Sequence, residues 1–328
     1  MQSSSYRAFL GLVVICPLIA PVALAGVGDF TNQLSPSYRG QPGARYDGYD
    51  VFTSAALLPN FADLPGSCAA TLLLQTDPSA ILTSTGNIYS FASATTIEIS
   101  LPAEDVVATA LLQVKTAASP IDTSSVTLLG TSGNGQPVAI SASVVTQLDS
   151  IGDEHAFEWD AAALDGIDLH GATVRFSASA PSCSLDVVLL DFQTDREPLE
   201  TDVDALSLAG GGKQALDLDA GSDRAASIYL VLGSATGTTP GLVLDGVTVP
   251  LALDAYTLLM ANGGSPGIHA TTIGVLDPCG RGSASVTVPA GTDGSLSGLV
   301  LHHAFITIQP SIFGVDFASN ATPLALGS

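Results

Sequence analysis

Thr173-Val174-Arg175-Phe176-Ser177-Ala178-Ser179 places Val174, Phe176 and Ala178 on one side of an extended chain, and Arg175 and Ser177 on the other. A period of two is the mark of a strand with one buried face. Similar short runs extend outward on both sides: Ala70–Gln75, Ile88–Phe91, Thr96–Leu101, Val106–Lys115, Ser125–Leu129, Val138–Val144, His155–Trp159 and Leu185–Phe192. Turn residues separate them at intervals of about ten residues, the spacing of a sandwich or barrel. One short helical turn, Asp160–Leu164, is expected among them. The fold class expected is all-β, with two β-sandwiches in tandem.

The organisation follows from where this rhythm starts and stops. Residues 1–25 read as a signal peptide: Arg7 gives the charged start, Ala8 to Val22 is apolar but broken by Pro17 and Pro21, and Ala23-Leu24-Ala25 gives the small residues of a cleavage site. Residues 26–45 read as an exposed leader rich in Gly, Ser, Pro, Gln and Asn. The first sandwich is expected over 46–194. Asp195 to Asp204 is acidic, contains Pro198 and lacks alternation, so 195–204 reads as a linker. A second sandwich over 205–328 is expected from Lys213–Leu218, Ala226–Gly233, Val243–Leu244, Val247–Pro250, Tyr256–Leu259, Ala284–Val288, Gly298–Thr307 and Ala318–Leu326.

Composition narrows the function classes. The 328 residues carry 9 basic and 31 acidic side chains, a net charge of −22, while 46% are hydrophobic. Loss of residues 1–25 would leave 8 basic side chains and a net of −23. Phosphate neutralisation needs Lys and Arg, so nucleic acid is excluded as a partner. The apolar fraction is too high for disorder. No transmembrane segment is expected after cleavage, and the protein is expected to be secreted, extracellular or at the cell surface. Export places Cys68, Cys183 and Cys279 where disulfides persist. Cys68 and Cys183 precede an early and the last strand of the first sandwich, and first and last strands are often neighbours. The expected disulfide is therefore Cys68–Cys183. Cys279 is left as a free thiol or an intermolecular partner.

Two resemblances extend this reading. Phe157-Glu158-Trp159-Asp160-Ala161-Ala162-Ala163-Leu164-Asp165-Gly166, followed by Ala172–Ser177 and Leu185–Asp191, resembles the last third of jelly-roll, galactose-binding-like modules. That resemblance implies a jelly-roll-like first sandwich of a kind often used to bind glycans. Gly211–Gly221, Tyr229–Gly241, Pro250–Asp254, Gly298–Phe305 and Ala318–Leu324 together resemble an uncharacterised C-terminal module of secreted proteins from environmental bacteria. Its place at the end of varied exported proteins implies surface association or sorting. Jelly-roll modules often hold a structural calcium beside their first and last strands. Asp50, Asp63, Asp186 and Asp191 fall in such segments and are the expected metal ligands, with calcium suited to oxygen donors outside the cell.

Catalytic patterns are weak. Gly263-Gly264-Ser265-Pro266-Gly267 has the spacing of a nucleophile elbow, but Pro266 lacks the N–H that an oxyanion hole needs. Gly210-Gly211-Gly212-Lys213 is followed by Gln214, not by the Ser or Thr of a phosphate loop. His302 and His303 are adjacent, so a strand turns them to opposite faces and they cannot share a metal. Glu158 and Asp160 read as an outer polar face, with Phe157 and Trp159 inside. The ligand-like loop is Tyr46-Asp47-Gly48-Tyr49-Asp50 with Phe52, which nominates Tyr46, Asp47, Tyr49 and Phe52 as ligand-binding residues. The function expected is an exported, non-enzymatic interaction or adhesion protein that binds a glycan or surface polymer. The alternatives are a structural subunit of an envelope matrix or appendage, and a hydrolase or lyase.

Overall fold

The structure is a computed structural model that describes residues 30–327, apart from 105, 133, 165, 166 and 312. The expected signal peptide lies outside the described residues. Two antiparallel sheets form the first sandwich. In the front sheet the order is Val144–Gln147, Glu154–Trp159, Val107–Ala118, Cys183–Thr194, Ile88–Ser90 and Ile81–Leu82. The strand Ala44–Tyr49 joins the other half of the same edge of Cys183–Thr194. In the back sheet the order is Asn60–Phe61, Leu72–Gln75, Thr96–Ser100, Ile167–Ser177, Thr127–Ser132 and Pro137–Ser141. The chain alternates between the sheets in the jelly-roll-like manner expected.

Alternation positions the core as predicted. Val174 and Phe176 are buried among Ile97, Ile99, Leu112, Phe157 and Trp159, and Ala178 is buried on the same side. Arg175 is exposed and donates from Nε to Glu98 Oε1 at 2.8 Å, its cross-strand partner. The run Val138–Val144 divides instead into Pro137–Ser141 in the back sheet and Val144–Gln147 in the front sheet.

The second sandwich pairs a sheet of Leu199–Thr201, Gly212–Asp219, Arg281–Val288 and His269–Ala270 with another of Ala205–Ser207, Thr322–Gly327, Val300–Gln309, Ile228–Ser234 and Ile273–Val275. Gly314–Ala318 pairs with the far half of Val300–Gln309. Its principal core gathers Leu216, Val231, Val286, Phe305 and Leu324. Two expectations change here. The acidic stretch read as linker is folded from Leu199 onward, because Leu199 is a buried core side chain and Leu199–Thr201 pairs with Leu216–Leu218. Tyr256–Leu259, read as strand, lies in the helix Ala255–Ala261. Asp254 starts that helix: its carboxylate accepts the Thr257 N–H at 2.9 Å, and Thr257 Oγ1 accepts the Asp254 N–H at 3.2 Å.

The leader is not free either. Outer-face residues Leu111, Ala156, Val187 and Leu189 need cover, and Phe30 and Leu34 supply part of it. Gln113 accepts the Leu34 N–H at 2.7 Å and donates to Leu34 O at 3.0 Å. Arg39 grips Asp191 with two hydrogen bonds of 2.5 Å. Residues 30–43 thus form a strap across the front sheet, which covers the outer face of its central strands.

Candidate functional site

The strap decides the fate of the nominated ligand residues. Tyr46, Asp47 and Tyr49 belong to the strand Ala44–Tyr49 rather than to a loop, and with Phe52 all four side chains are buried. Tyr49 and Phe52 join the main core, while Tyr46 packs with Leu64 under the strap, its ring 4.4 Å from the Arg39 guanidinium carbon. Tyr49 hydroxyl and Thr71 Oγ1 lie 2.6 Å apart. Asp47 accepts both the Thr71 N–H and its hydroxyl at 2.7 Å. Burial raises the Asp47 carboxyl, and hydrogen bonds from Thr71, Ala69 and Ala70 pull it back. Asp47 therefore clamps the segment that follows Cys68. The four do not form an exposed platform.

The expected calcium ligands are also dispersed. Asp63 accepts the N–H groups of Asp50 and Val51 at 2.8 and 3.0 Å. Asp186 accepts from Asn87 at 2.8 Å, and Asp191 is held by Arg39. Protein donors occupy the carboxylates of Asp63, Asp186 and Asp191, and among the described residues no group of three or more His, Cys, Asp or Glu could hold a metal ion.

The expected Cys68–Cys183 disulfide is corrected on geometry. Cys68 N–H bonds Tyr46 O, and Tyr46 is opposite Asp191 in the sheet. Cys183 starts the strand that reaches Asp191 eight residues later, roughly 25 Å away at the rise of a strand. A disulfide requires Cα atoms about 4.4–6.8 Å apart. Cys68 is beside Cys279 instead, and the interaction of the two thiols holds that of Cys68 below its ordinary value and raises that of Cys279.

Exposed apolar side chains gather elsewhere in the first sandwich, at its lateral edge. The chain leaves the back sheet at Gln75, enters the front sheet at Ile81, leaves it at Ser90 and returns at Thr96. Asp77 ties this corner by accepting the Ser90 hydroxyl at 2.7 Å and the Ser93 hydroxyl. Ile81 faces Tyr89 across the strands, and Tyr89 meets Phe91 edge-on with ring centroids 4.4 Å apart. Ile88 and Ser90 point inward, so Tyr89 and Phe91 point outward. On the back-sheet side of the same edge, Phe61 is opposite Leu72, and both are exposed, as are Leu57 and Leu58. The alternation of Ile88-Tyr89-Ser90-Phe91 was the available sequence signal for this platform.

Polar groups also gather at two other places. An open cleft of about 280 Å³ lies beside the strap, lined by Pro36, Tyr38, Thr109, Glu158, Trp159 and Asp160. Trp159 is fully buried and donates its indole N–H to Ile140 O at 2.9 Å, while Asp160 caps the following turn through Ala163 N–H at 2.9 Å. In the second sandwich, Tyr256 hydroxyl lies 2.9 Å from His303 Nε2 and 3.1 Å from His269 Nε2. Burial, with His269 and His302 nearby, pushes the His303 imidazole down to about 4. His302 is half-buried, so the adjacent histidines do diverge. Ser265 donates its N–H to His269 Nδ1 at 2.8 Å.

No family model and no curated protein sequence matches the chain. Among solved structures, a β-1,2-glucanase from Parabacteroides distasonis aligns with 88% of this chain and 38% of its own, at 12% identity and TM-score 0.25. The adhesin domain of Epf from Streptococcus pyogenes aligns with 92% of this chain and 98% of its own, at 10% identity and TM-score 0.18. The N-terminal domain of the Streptococcus gordonii adhesin Sgo0707 aligns with 79% and 66%, at 12% identity and TM-score 0.19. The chain spans well under half the length of the glucanase. Scores this low carry no functional argument, and neither module resemblance gains support from them beyond a β-rich architecture.

Proposed function

We propose that the chain is an exported, non-enzymatic adhesion-type protein. Its first sandwich binds a glycan or surface polymer at the lateral edge, and its second sandwich serves surface association or sorting. The observation that carries the reading is the outward row of Ile81, Tyr89 and Phe91. Contiguous exposed apolar side chains on a soluble domain mark an interaction surface. An aromatic ring supplies a flat apolar face for a sugar ring, and the Tyr hydroxyl adds a polar handle. The candidates for chemistry support the same reading: Asp160 serves as a cap, and the Tyr256 hydroxyl is engaged by two imidazoles. Docking between copies through Cys279 finds no support, because Cys279 is buried against Cys68.

A broad glycan array probed with the whole chain tests the proposal. The expected result is binding to one glycan class that disappears in a Tyr89→Ala/Phe91→Ala variant with an unchanged melting temperature. Silence across the array, or binding that the double substitution leaves intact, overturns it.

A further inference from the structure

We propose that Cys68 and Cys279 form a disulfide that locks the first sandwich to the second. The two thiols come from opposite sides of a joint that is already assembled without them. Arg45 of the first sandwich donates to Asp219 Oδ2 of the second at 2.8 Å, and both side chains are buried. Arg281 Nε lies 3.7 Å from the same carboxylate. Asp223 N–H bonds Gly40 O at 3.1 Å.

Each cysteine is fixed by its own turn. On the first side, Cys68 N–H donates to Tyr46 O at 2.9 Å, and Asp47 clamps Thr71. On the second, Asp277 Oδ1 accepts the N–H groups of Cys279 and Arg281 at 2.8 and 2.9 Å. Gly280 follows with φ of +75°, and Ala220 N–H bonds Gly280 O at 2.9 Å. A Cβ at Gly280 would stand 1.9 Å from Gly221 O, so the turn is pressed against the strand end that carries Asp219. The Arg45–Asp219 pair stands one residue from Tyr46, which holds Cys68, and one residue from Ala220, which holds Gly280, so the joint brings the two turns together, and the thiols need only close to the S–S length of about 2.05 Å. The third cysteine cannot compete, because Cys183 is buried in a core strand, far from both.

The oxidant is an external disulfide, either oxidised glutathione or a disulfide-exchange protein. Cys68 is partly exposed and its thiol is held below the ordinary value, so it gives its proton to solvent, attacks one external sulfur and releases one thiolate. Cys279 gives its proton to solvent and attacks Cys68 Sγ of the mixed disulfide, which releases the second thiolate. Two protein thiols become one disulfide, and the external disulfide becomes two thiols.

The test equilibrates the whole chain in reduced and oxidised glutathione, traps free thiols by alkylation, and maps tryptic peptides without reduction. The expected product links Tyr46–Lys115 to Ala225–Arg281, about 2 Da lighter than the sum of the free peptides, with Cys183 alkylated. Reduction should lower the thermal midpoint of the wild type and leave that of a Cys279→Ser variant unchanged. Alkylation of both Cys68 and Cys279 under oxidising conditions, a Cys68–Cys183 link, or a dimer joined through Cys279 would overturn the proposal. Glycan binding plays no part in this readout, so the fate of the functional reading is separate.

Discussion

At the joint, Arg45 and Asp219 keep only 1% and 3% of their surface in water; at the lateral edge, Phe61 and Phe91 each keep 61%. The usual sorting puts charge outside and rings inside. Both margins of the first sandwich invert it, for different reasons. At the joint the charges match one another, and the Gly43 N–H, 3.3 Å from Asp219 Oδ2, adds to them. At the edge the apolar side chains of Phe61, Ile81 and Phe91 are exposed among the described residues. A margin whose unusual residues are satisfied internally is a seam. A margin whose unusual residues are left open is a surface for a partner.

The largest way to break this contrast is to unpair the seam. Asp219→Ala strands the buried Arg45 charge, which should cost about 3–5 kcal/mol in urea unfolding. The double change Arg45→Met/Asp219→Leu should recover most of that loss, since a buried ion pair contributes little beyond an apolar pair of similar size. If the single substitution costs under about 1 kcal/mol, the joint is not a rigid seam.

A second buried polar group sharpens the contrast through pH. His303 is uncharged when folded because burial holds its pKa near 4, against 6.5 for an unconstrained imidazole. Between those values the unfolded chain binds the extra proton. Stability is therefore fully present above about pH 6.5 and falls as pH drops toward 4, by about 3 kcal/mol in total. Tyr256 and His269 face this imidazole, and the neighbouring His302, turned the other way, adds a coulombic effect. A His303→Gln variant should show a flatter acid limb than the wild type in melts from pH 7 to 4.

How much of this was legible follows from the range over which each feature is encoded. Val174, Phe176 and Ala178 reveal their face through a period that any strand obeys, and Asp254 with Thr257 forms a local cap motif. Tyr46-Asp47-Gly48-Tyr49-Asp50 misleads because its turn-forming residues suggest a loop. What makes it a strand buried on both faces is a strap and a strand, Cys183–Thr194, far away in sequence. The Cys68–Cys279 contact depends on how two sandwiches dock, which no periodicity records.

The strap gives a smaller test between the extremes. Arg39→Ala removes two charge-assisted hydrogen bonds and leaves Asp191 buried, so the expected loss is about 1.5–3 kcal/mol. Burial already pushes the Asp191 carboxyl upward, and Arg39 counters it. In the variant that carboxyl should titrate higher still, which NMR of the Asp191 side chain would detect.

The smallest stability effect belongs to the edge, and it is the most informative. Phe91→Ser and Phe61→Ser remove rings that mostly face water, so each should change folding stability by no more than about 0.5 kcal/mol. If these rings instead support the sandwich, the same substitutions will cost the several kcal/mol typical of a truncated core phenylalanine, about 3–5. Only the first outcome leaves the edge free to act as a binding surface. A substitution that is silent in urea but abolishes capture of a glycan separates a surface residue from a structural one, and thereby separates the edge from the seam.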